Sequence, residues 1–170
     1  MNNDDHTHML AALDEARGAL AAGEFPVGCV MVHQGRIVAT GRRVNSCGPA
    51  ANELDHAEIV ALRSLFADAK NAAKIPETTV YSTMEPCLMC FATLLLNGVR
   101  RIVYAFEDVM GGGTDLELAS LNPLYRAMEV EIVTGICRAE SLDLFRSFFR
   151  NGKNAYWQDS LLARHILAQD

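Results

Sequence analysis

The chain has 170 residues, half of them hydrophobic, and its 15 Lys and Arg against 21 Asp and Glu give a formal net charge of −6. This length and composition predict one domain, residues 1–170, and exclude both a mostly disordered chain and a membrane protein, because no stretch approaches the roughly 20 apolar residues of a spanning helix. The acidic balance disfavours an extended nucleic-acid interface, which needs several Lys and Arg to neutralise phosphates.

The first half of the chain is predicted to contain a helix (7–22), two strands (27–33 and 37–41), a loop (44–54) and a second helix (55–70). Gly23 would end the first helix, and the Gln34-Gly35 turn would join the two strands. Asp55 and Glu58 have the spacing of a capping box, so we expect them to cap the second helix.

The second half is predicted to contain a strand (78–83), a helix (86–97), two strands (101–106 and 129–134) and two helices (140–149 and 157–167). Pro86 would take the first helical position, and the three glycines at 111–113 would form a flexible loop. Residues from about 150 to 170 would form a C-terminal helical extension. This order predicts an α/β sandwich with a mixed sheet, its opening hairpin antiparallel and its later strands parallel.

The N-terminus is acidic and no apolar run follows it, so we expect no signal peptide and a cytoplasmic protein. Five cysteines, an odd number, argue against a disulfide framework. Cys87 and Cys90 stand three residues apart at the start of a predicted helix, so their sulfurs would lie on one face, where the helix N-terminus favours thiolates. This spacing alone fits either a metal site or a redox dithiol.

His56 and Glu58 lie upstream of this cysteine pair, at the start of the preceding predicted helix. One neutral imidazole and two thiolates balance a Zn²⁺ ion and leave its fourth tetrahedral position open, as in catalytic zinc sites. We therefore predict one zinc ion per subunit, held by His56, Cys87 and Cys90. Zinc lowers the pKa of a bound water to about 7, and Glu58 is the predicted catalytic proton carrier.

The segments His56-Ala57-Glu58 and Pro86-Cys87-Leu88-Met89-Cys90 together resemble the signature of the cytidine/deoxycytidylate deaminase superfamily, and most closely its branch of tRNA adenosine deaminases and free-base deaminases. The resemblance extends from about residue 25 to residue 149. It implies a three-layer α/β/α fold with a five-stranded sheet, a homodimer, and hydrolytic release of ammonia from a nucleobase ring. Asn45 stands where an asparagine contacts the base in the tRNA branch, so the resemblance implies that it binds substrate.

Departures from the tRNA enzymes favour a small substrate. Residues 107–111 lack the cations with which those enzymes meet RNA, and the chain continues past Phe149 into a helix that is not basic. We therefore expect a free base or nucleoside of the guanine, cytosine or adenine type. The alternative is deamination of an anticodon adenosine in tRNA, a partner that the charge disfavours. A remote alternative is a non-catalytic zinc-containing binding module.

Aromatic residues supply the remaining candidate substrate contacts. Phe25, Phe106 and Trp157 are predicted to border the pocket, and Tyr156 with Trp157 would either cover the pocket or anchor the last helix. His6 is expected to be solvated rather than bound to a metal.

Overall fold

The computed structural model describes residues 3–72 and 74–169. Within these ranges the strands are β1 (Gly28–His33), β2 (Arg36–Arg42), β3 (Thr78–Met84), β4 (Arg101–Phe106) and β5 (Glu131–Thr134). The α-helices are α1 (Asn3–Ala21), α2 (Ala57–Phe66), α3 (Ala69–Ala72), α4 (Leu88–Leu96), α5 (Pro123–Arg126), α6 (Arg138–Asn151) and α7 (Leu161–Leu167). None of the helices in the described ranges is long and apolar enough to span a bilayer.

The five strands form one mixed sheet in the order β2-β1-β3-β4-β5. β1 pairs antiparallel with both β2 and β3, whereas β3–β4 and β4–β5 are parallel. Residues on β1 alternate between two cores: Val30 and Val32 pack with Met9 of α1, and Met31 packs with Leu62 of α2 on the other face. The predicted mixed five-stranded sheet with helices on both sides is confirmed.

Two predicted chain reversals are present at glycine. Gly23 follows α1 with a φ of 79°, and the β1–β2 hairpin turns through Gln34 and Gly35 with φ of 49° and 74°. Positive φ at both central residues is the conformation that matches the twist of the flanking strands. The hairpin register is thereby set by its turn.

The helix starts differ from those predicted. α2 begins at Ala57 rather than at 55, and the capping box is wrong, because the Asp55 carboxylate accepts hydrogen bonds from the side chains of Asn45, Asn52 and Arg63 instead of capping the helix. The last helix begins at 161 rather than at 157. Its N-cap is a serine whose hydroxyl accepts the backbone N–H of residue 163, and such a cap sets a helix start more strongly than an apolar pattern does.

A buried ion pair ties α1 to the sheet. The Asp5 carboxylate accepts two hydrogen bonds from the Arg101 guanidinium, both 3.0 Å long, and a third from the Tyr81 hydroxyl at 2.7 Å. The hydrogen bond from Arg101 lowers the pKa of Asp5 below its ordinary value of 3.8, although burial opposes this effect. Folding therefore favours the charged form of Asp5 over its protonated form. Above pH 3.8 this preference adds to the free energy of unfolding.

We expect Asp5→Asn to lower the free energy of unfolding at pH 7 by about 2 kcal/mol, because a charged acceptor with three donors is lost. The difference from the unsubstituted protein should shrink as the pH falls through the lowered pKa of Asp5, since protonation then removes the same charge. Urea unfolding at pH 7 and pH 3 measures both effects. Asp14→Asn is the control, because Asp14 pairs with Arg17 on the surface and surface pairs contribute less than about 1 kcal/mol. Equal effects of the two substitutions at pH 7 would contradict this account.

Candidate metal and active site

Three predicted metal ligands converge at the N-termini of α2 and α4. His56 is the N-cap residue of α2, Cys87 is the N-cap residue of α4, and Cys90 lies in the first turn of α4. His56 Nδ1 is 3.6 Å from each of the two Sγ atoms. Ligand atoms around a tetrahedral zinc ion, at bond lengths of about 2.0 to 2.3 Å, lie about 3.6 Å apart. The donor set and its spacing therefore fit zinc.

The ligand side chains also influence one another's protonation. The hydrogen bond from Cys90 and the neighbouring His56 lower the pKa of Cys87 to about 4, against the effect of burial. The hydrogen bond to Cys87, together with burial, raises the pKa of Cys90. Burial alone would lower the pKa of His56, but its contact with Cys87 and the charge of Glu58 raise this pKa to about 9. Without a metal, these pKa values favour a Cys87 thiolate beside a His56 imidazolium. Metal binding would release the protons that His56 and Cys90 still carry.

The loop after β4 closes tightly against the start of α4. Pro86 precedes the N-cap rather than occupying the first helical position, and its carbonyl accepts the N–H of Gly113 at 3.0 Å. A Cβ on Gly112 would lie 2.5 Å from the carboxylate of Glu85, which itself accepts two hydrogen bonds from Thr114. The structure thus gives these glycines a packing role, since only glycine allows this close approach.

Glu58 lies beside the metal-ligand group and is 3% exposed. Its Oε2 accepts the Cys90 thiol at 3.6 Å, and its Oε1 is 3.4 Å from the hydroxyl of Ser82. Burial raises the pKa of Glu58, although the charge of His56 opposes the shift. A buried carboxylate with a raised pKa next to a metal-ligand group can accept and return protons.

A cavity of about 150 Å³ opens beside this group. Its wall includes His56, Glu58 and Cys87, together with the aromatic rings of Phe25 and Trp157 that were predicted to border the pocket. The volume is about half of the roughly 300 Å³ at the lower end of drug-sized sites. The cavity therefore suits a single flat ring system.

The other two predicted contact residues do not lie on the wall of this cavity. Asn45 has a left-handed backbone with φ of 56°, and its amide donates to Asp55 at 2.7 Å, so its role in substrate binding stays a prediction. Phe106 is fully buried and packs on Phe145, with the guanidinium of Arg138 4.8 Å from its ring centre. The structure places Phe106 in the core.

Glu53 and Arg43 line the cavity and were not predicted from the sequence, whereas Tyr156 was predicted either to cover the pocket or to anchor the last helix. All three residues line the cavity, and a single oxygen of Glu53 accepts hydrogen bonds from the other two. Tyr156 also packs on Phe25, so it both borders the cavity and holds its segment in place. Glu53 is recognisable in the sequence as an acidic residue three positions before His56, whereas Arg43 had no signal beyond belonging to an arginine pair.

A second group of potential metal ligands lies outside the cavity. His6, Cys137 and Glu140 bring their ligand atoms within 4.8 Å of one another, and none of the three lines the cavity. Cys137 has a raised pKa because of burial, which disfavours its thiolate. A thiol is the weaker metal ligand.

Comparisons with known proteins agree with this geometry. Residues 2–106 match the family described as the cytidine and deoxycytidylate deaminase zinc-binding region. The chain is 31% identical over 148 residues to a tRNA-specific adenosine deaminase of Agrobacterium fabrum, an alignment that covers 86% of this chain and 95% of that protein.

Two solved structures share the fold. One, from work on A-to-I editing by tRNA:A34 deaminases at the wobble position, superposes with a TM-score of 0.63 at 26% identity, over 81% of this chain and 98% of that chain. The other is a guanine deaminase from Nitrosomonas europaea, with a TM-score of 0.63 at 21% identity, over 84% of this chain and 83% of that chain. The predicted resemblance is confirmed: the chain belongs to the cytidine and deoxycytidylate deaminase family and carries that family's zinc-binding region.

Proposed function

We propose that this protein is a zinc-dependent hydrolytic deaminase that releases ammonia from the amino group of a nucleobase ring. The observation that carries the proposal is the position of Glu58, which lies on the cavity wall 3.6 Å from Cys90 and outside the set of three metal ligands. A carboxylate in this position is not needed to hold the metal. It is suited to proton transfer between water and substrate.

His56, Cys87 and Cys90 would hold the zinc ion, which when bound lowers the pKa of water and so supplies a nucleophile at neutral pH. Glu58 would take one proton from this water and deliver it to a ring nitrogen. The same carboxyl group would then carry the second proton of this water to the amino group, so that the C–N bond breaks, ammonia leaves and the water oxygen becomes the carbonyl of the product. Phe25 and Trp157 would flank the ring in the cavity and exclude bulk water.

Within this reaction class we propose adenosine in tRNA as the substrate. The support is the similarity to tRNA-specific adenosine deaminases, at 31% identity over most of both chains, whereas the 21% identity to guanine deaminase speaks for the fold alone. The cavity would accept a single base flipped out of an RNA strand, which is how enzymes of this chemistry reach a base in nucleic acid. This replaces the small substrate that we expected from the charge.

A free base or nucleoside is the second candidate, and the arginines favour it. The chain has two pairs of adjacent arginines, and all four are engaged within the protein: Arg42 with Glu15, Arg43 with Glu53, Arg100 with the carbonyl of Leu95, and Arg101 with Asp5. These contacts compete with binding of the arginines to a phosphate backbone.

The acidic wall of the cavity also favours a free base or nucleoside. Glu53, Glu85 and Asp108 line it in addition to Glu58, and the arginine among the lining residues, Arg43, already donates hydrogen bonds to protein oxygens. Like charges facing a phosphate group disfavour its binding. We therefore expect 5′-monophosphates to be poorer substrates than the matching nucleosides.

An ammonia-release panel with the zinc-loaded protein tests these proposals. It compares a tRNA anticodon arm carrying adenosine with adenosine, adenine, guanine and cytosine, and each nucleoside with its 5′-monophosphate. We expect the anticodon arm to react and its KM to rise steeply with salt, because phosphate contacts release counterions. Reaction of a free base or nucleoside, with little effect of salt, would support the second candidate. A zinc-loaded protein that releases ammonia from no compound would support the binding-module alternative.

We also propose that the protein forms the homodimer predicted from the sequence. α4 presents two leucines to solvent in the single chain, Leu88 at 55% exposure and Leu96 at 51%. Large apolar side chains left on one helix face are candidates for burial against a second subunit. Light scattering of the zinc-loaded protein would measure the number of subunits.

A further inference from the structure

One carboxylate oxygen at the mouth of the cavity accepts three hydrogen bonds. Oε2 of Glu53 lies 3.2 Å from His56 Nε2, 2.9 Å from the Tyr156 hydroxyl and 3.3 Å from an Arg43 guanidinium nitrogen. The donors come from the start of α2, from the segment between α6 and α7, and from the residue that follows β2. Three separate parts of the chain therefore meet at Glu53.

The two nitrogens of His56 face different partners. Nδ1 faces the sulfurs of Cys87 and Cys90, so it is the nitrogen available to a metal, and Nε2 faces Glu53. A carboxylate that accepts the second N–H of a metal-binding histidine sets the orientation and tautomer of the ring and makes it a stronger ligand. We propose that Glu53 is a positioning residue for His56, and that Tyr156 and Arg43 hold Glu53 in place. This inference rests on metal binding by His56 in the proposed function and is independent of the substrate.

Glu53 needs such support because its side chain is 62% exposed. An exposed glutamate loses rotamer freedom when it is held in one conformation. Arg43 is 2% exposed and also donates to the carbonyls of Val44 and Asn52, at 2.9 and 2.6 Å, so it is fixed beside the loop that carries Glu53. The arginine thus orders both the loop and the carboxylate.

Tyr156 is held independently of Glu53. Its ring centre lies 5.3 Å from that of Phe25 and 5.5 Å from the Arg43 guanidinium carbon. Two residues earlier, the side chain of Asn154 is buried and donates to the carbonyl of Gly23 at 2.8 Å. The segment after α6 therefore carries its tyrosine hydroxyl to a defined position and becomes part of the outer shell of the metal site.

Zinc affinity of the full-length protein, measured by competition with a chelator and without substrate, tests this proposal. We expect Glu53→Ala to weaken zinc binding about tenfold, at the lower end of the range for outer-shell partners because the side chain is 62% exposed. Tyr156→Phe keeps the ring and removes the donor, and it should weaken binding about threefold, a smaller effect because one indirect contact is lost. Glu53→Gln retains an acceptor oxygen and should restore part of the loss.

The matched controls are Glu117→Ala and Tyr125→Phe, which change residues outside this network and should leave the affinity unchanged. Glu53→Ala combined with Tyr156→Phe should bind zinc as Glu53→Ala alone does, because the tyrosine acts through the glutamate. Thermal unfolding of the metal-free variants should match that of the unsubstituted protein. Wild-type zinc affinity in Glu53→Ala, additive losses in the double variant, or a loss of metal-free stability in proportion to the loss of affinity would each overturn the proposal. Because no substrate is used, the result stands whichever base the enzyme deaminates.

Discussion

Glu58→Gln is expected to lower kcat for ammonia release by about 10² to 10⁴-fold, because general acid–base catalysis contributes about this much and the amide cannot take a proton from water. The substitution preserves the shape of a side chain that is 3% exposed, so the fold should be retained. Zinc content should also be retained, because the three proposed metal ligands are His56, Cys87 and Cys90. The measurements are ammonia release on the best substrate of the panel and metal content by atomic absorption.

Glu117→Gln is the control for this substitution, since Glu117 is exposed and lies outside the cavity. It should keep both rate and zinc. A Glu58→Gln protein with a kcat within tenfold of the unsubstituted value would rule out proton transfer by this carboxylate. Loss of zinc in the same protein would instead assign Glu58 to metal binding.

Cys90→Ala is expected to reduce the zinc content from about one ion per subunit to nearly none, and to remove ammonia release with it. Cys90 is fully buried, and its sulfur lies 3.6 Å from His56 Nδ1, so no water-exposed side chain can take its place. A zinc ion held at a folded site binds the native state more tightly than the unfolded chain, so its loss should also lower the free energy of unfolding in zinc-containing buffer. Metal content and urea unfolding with and without zinc check both effects.

Cys137→Ala provides the matched control, because it removes a thiol from the second group of potential ligands, which includes His6 and Glu140. Zinc content and ammonia release should be unchanged in this variant. Stoichiometric zinc in Cys90→Ala that disappears when Cys137 is also replaced would place the metal at the second group. That outcome would contradict the proposed site.

The local features of the fold were predictable because short-range patterns encode them. A continuous run of non-polar residues at 27–32 indicated β1, whose even and odd positions are buried on opposite faces of the sheet, and glycine identified the hairpin turn at Gly35. Helix starts were less predictable. The Asp55 carboxylate can either cap α2 or accept hydrogen bonds from other side chains. Only the tertiary structure brings Asn45 close enough to favour the second arrangement.

The sequence by itself determined the family, since His56, Glu58, Cys87 and Cys90 stand in two short motifs whose residue types and spacing are those of the zinc-binding region of deaminases. The tertiary structure decided what surrounds these motifs. Tyr156 bonds to Glu53 across 103 positions of sequence, and contacts of that separation leave no periodic or local signal in the chain. The shape of the cavity and the support of the metal ligands depend on such long-range contacts, because packing brings together side chains that no spacing rule relates.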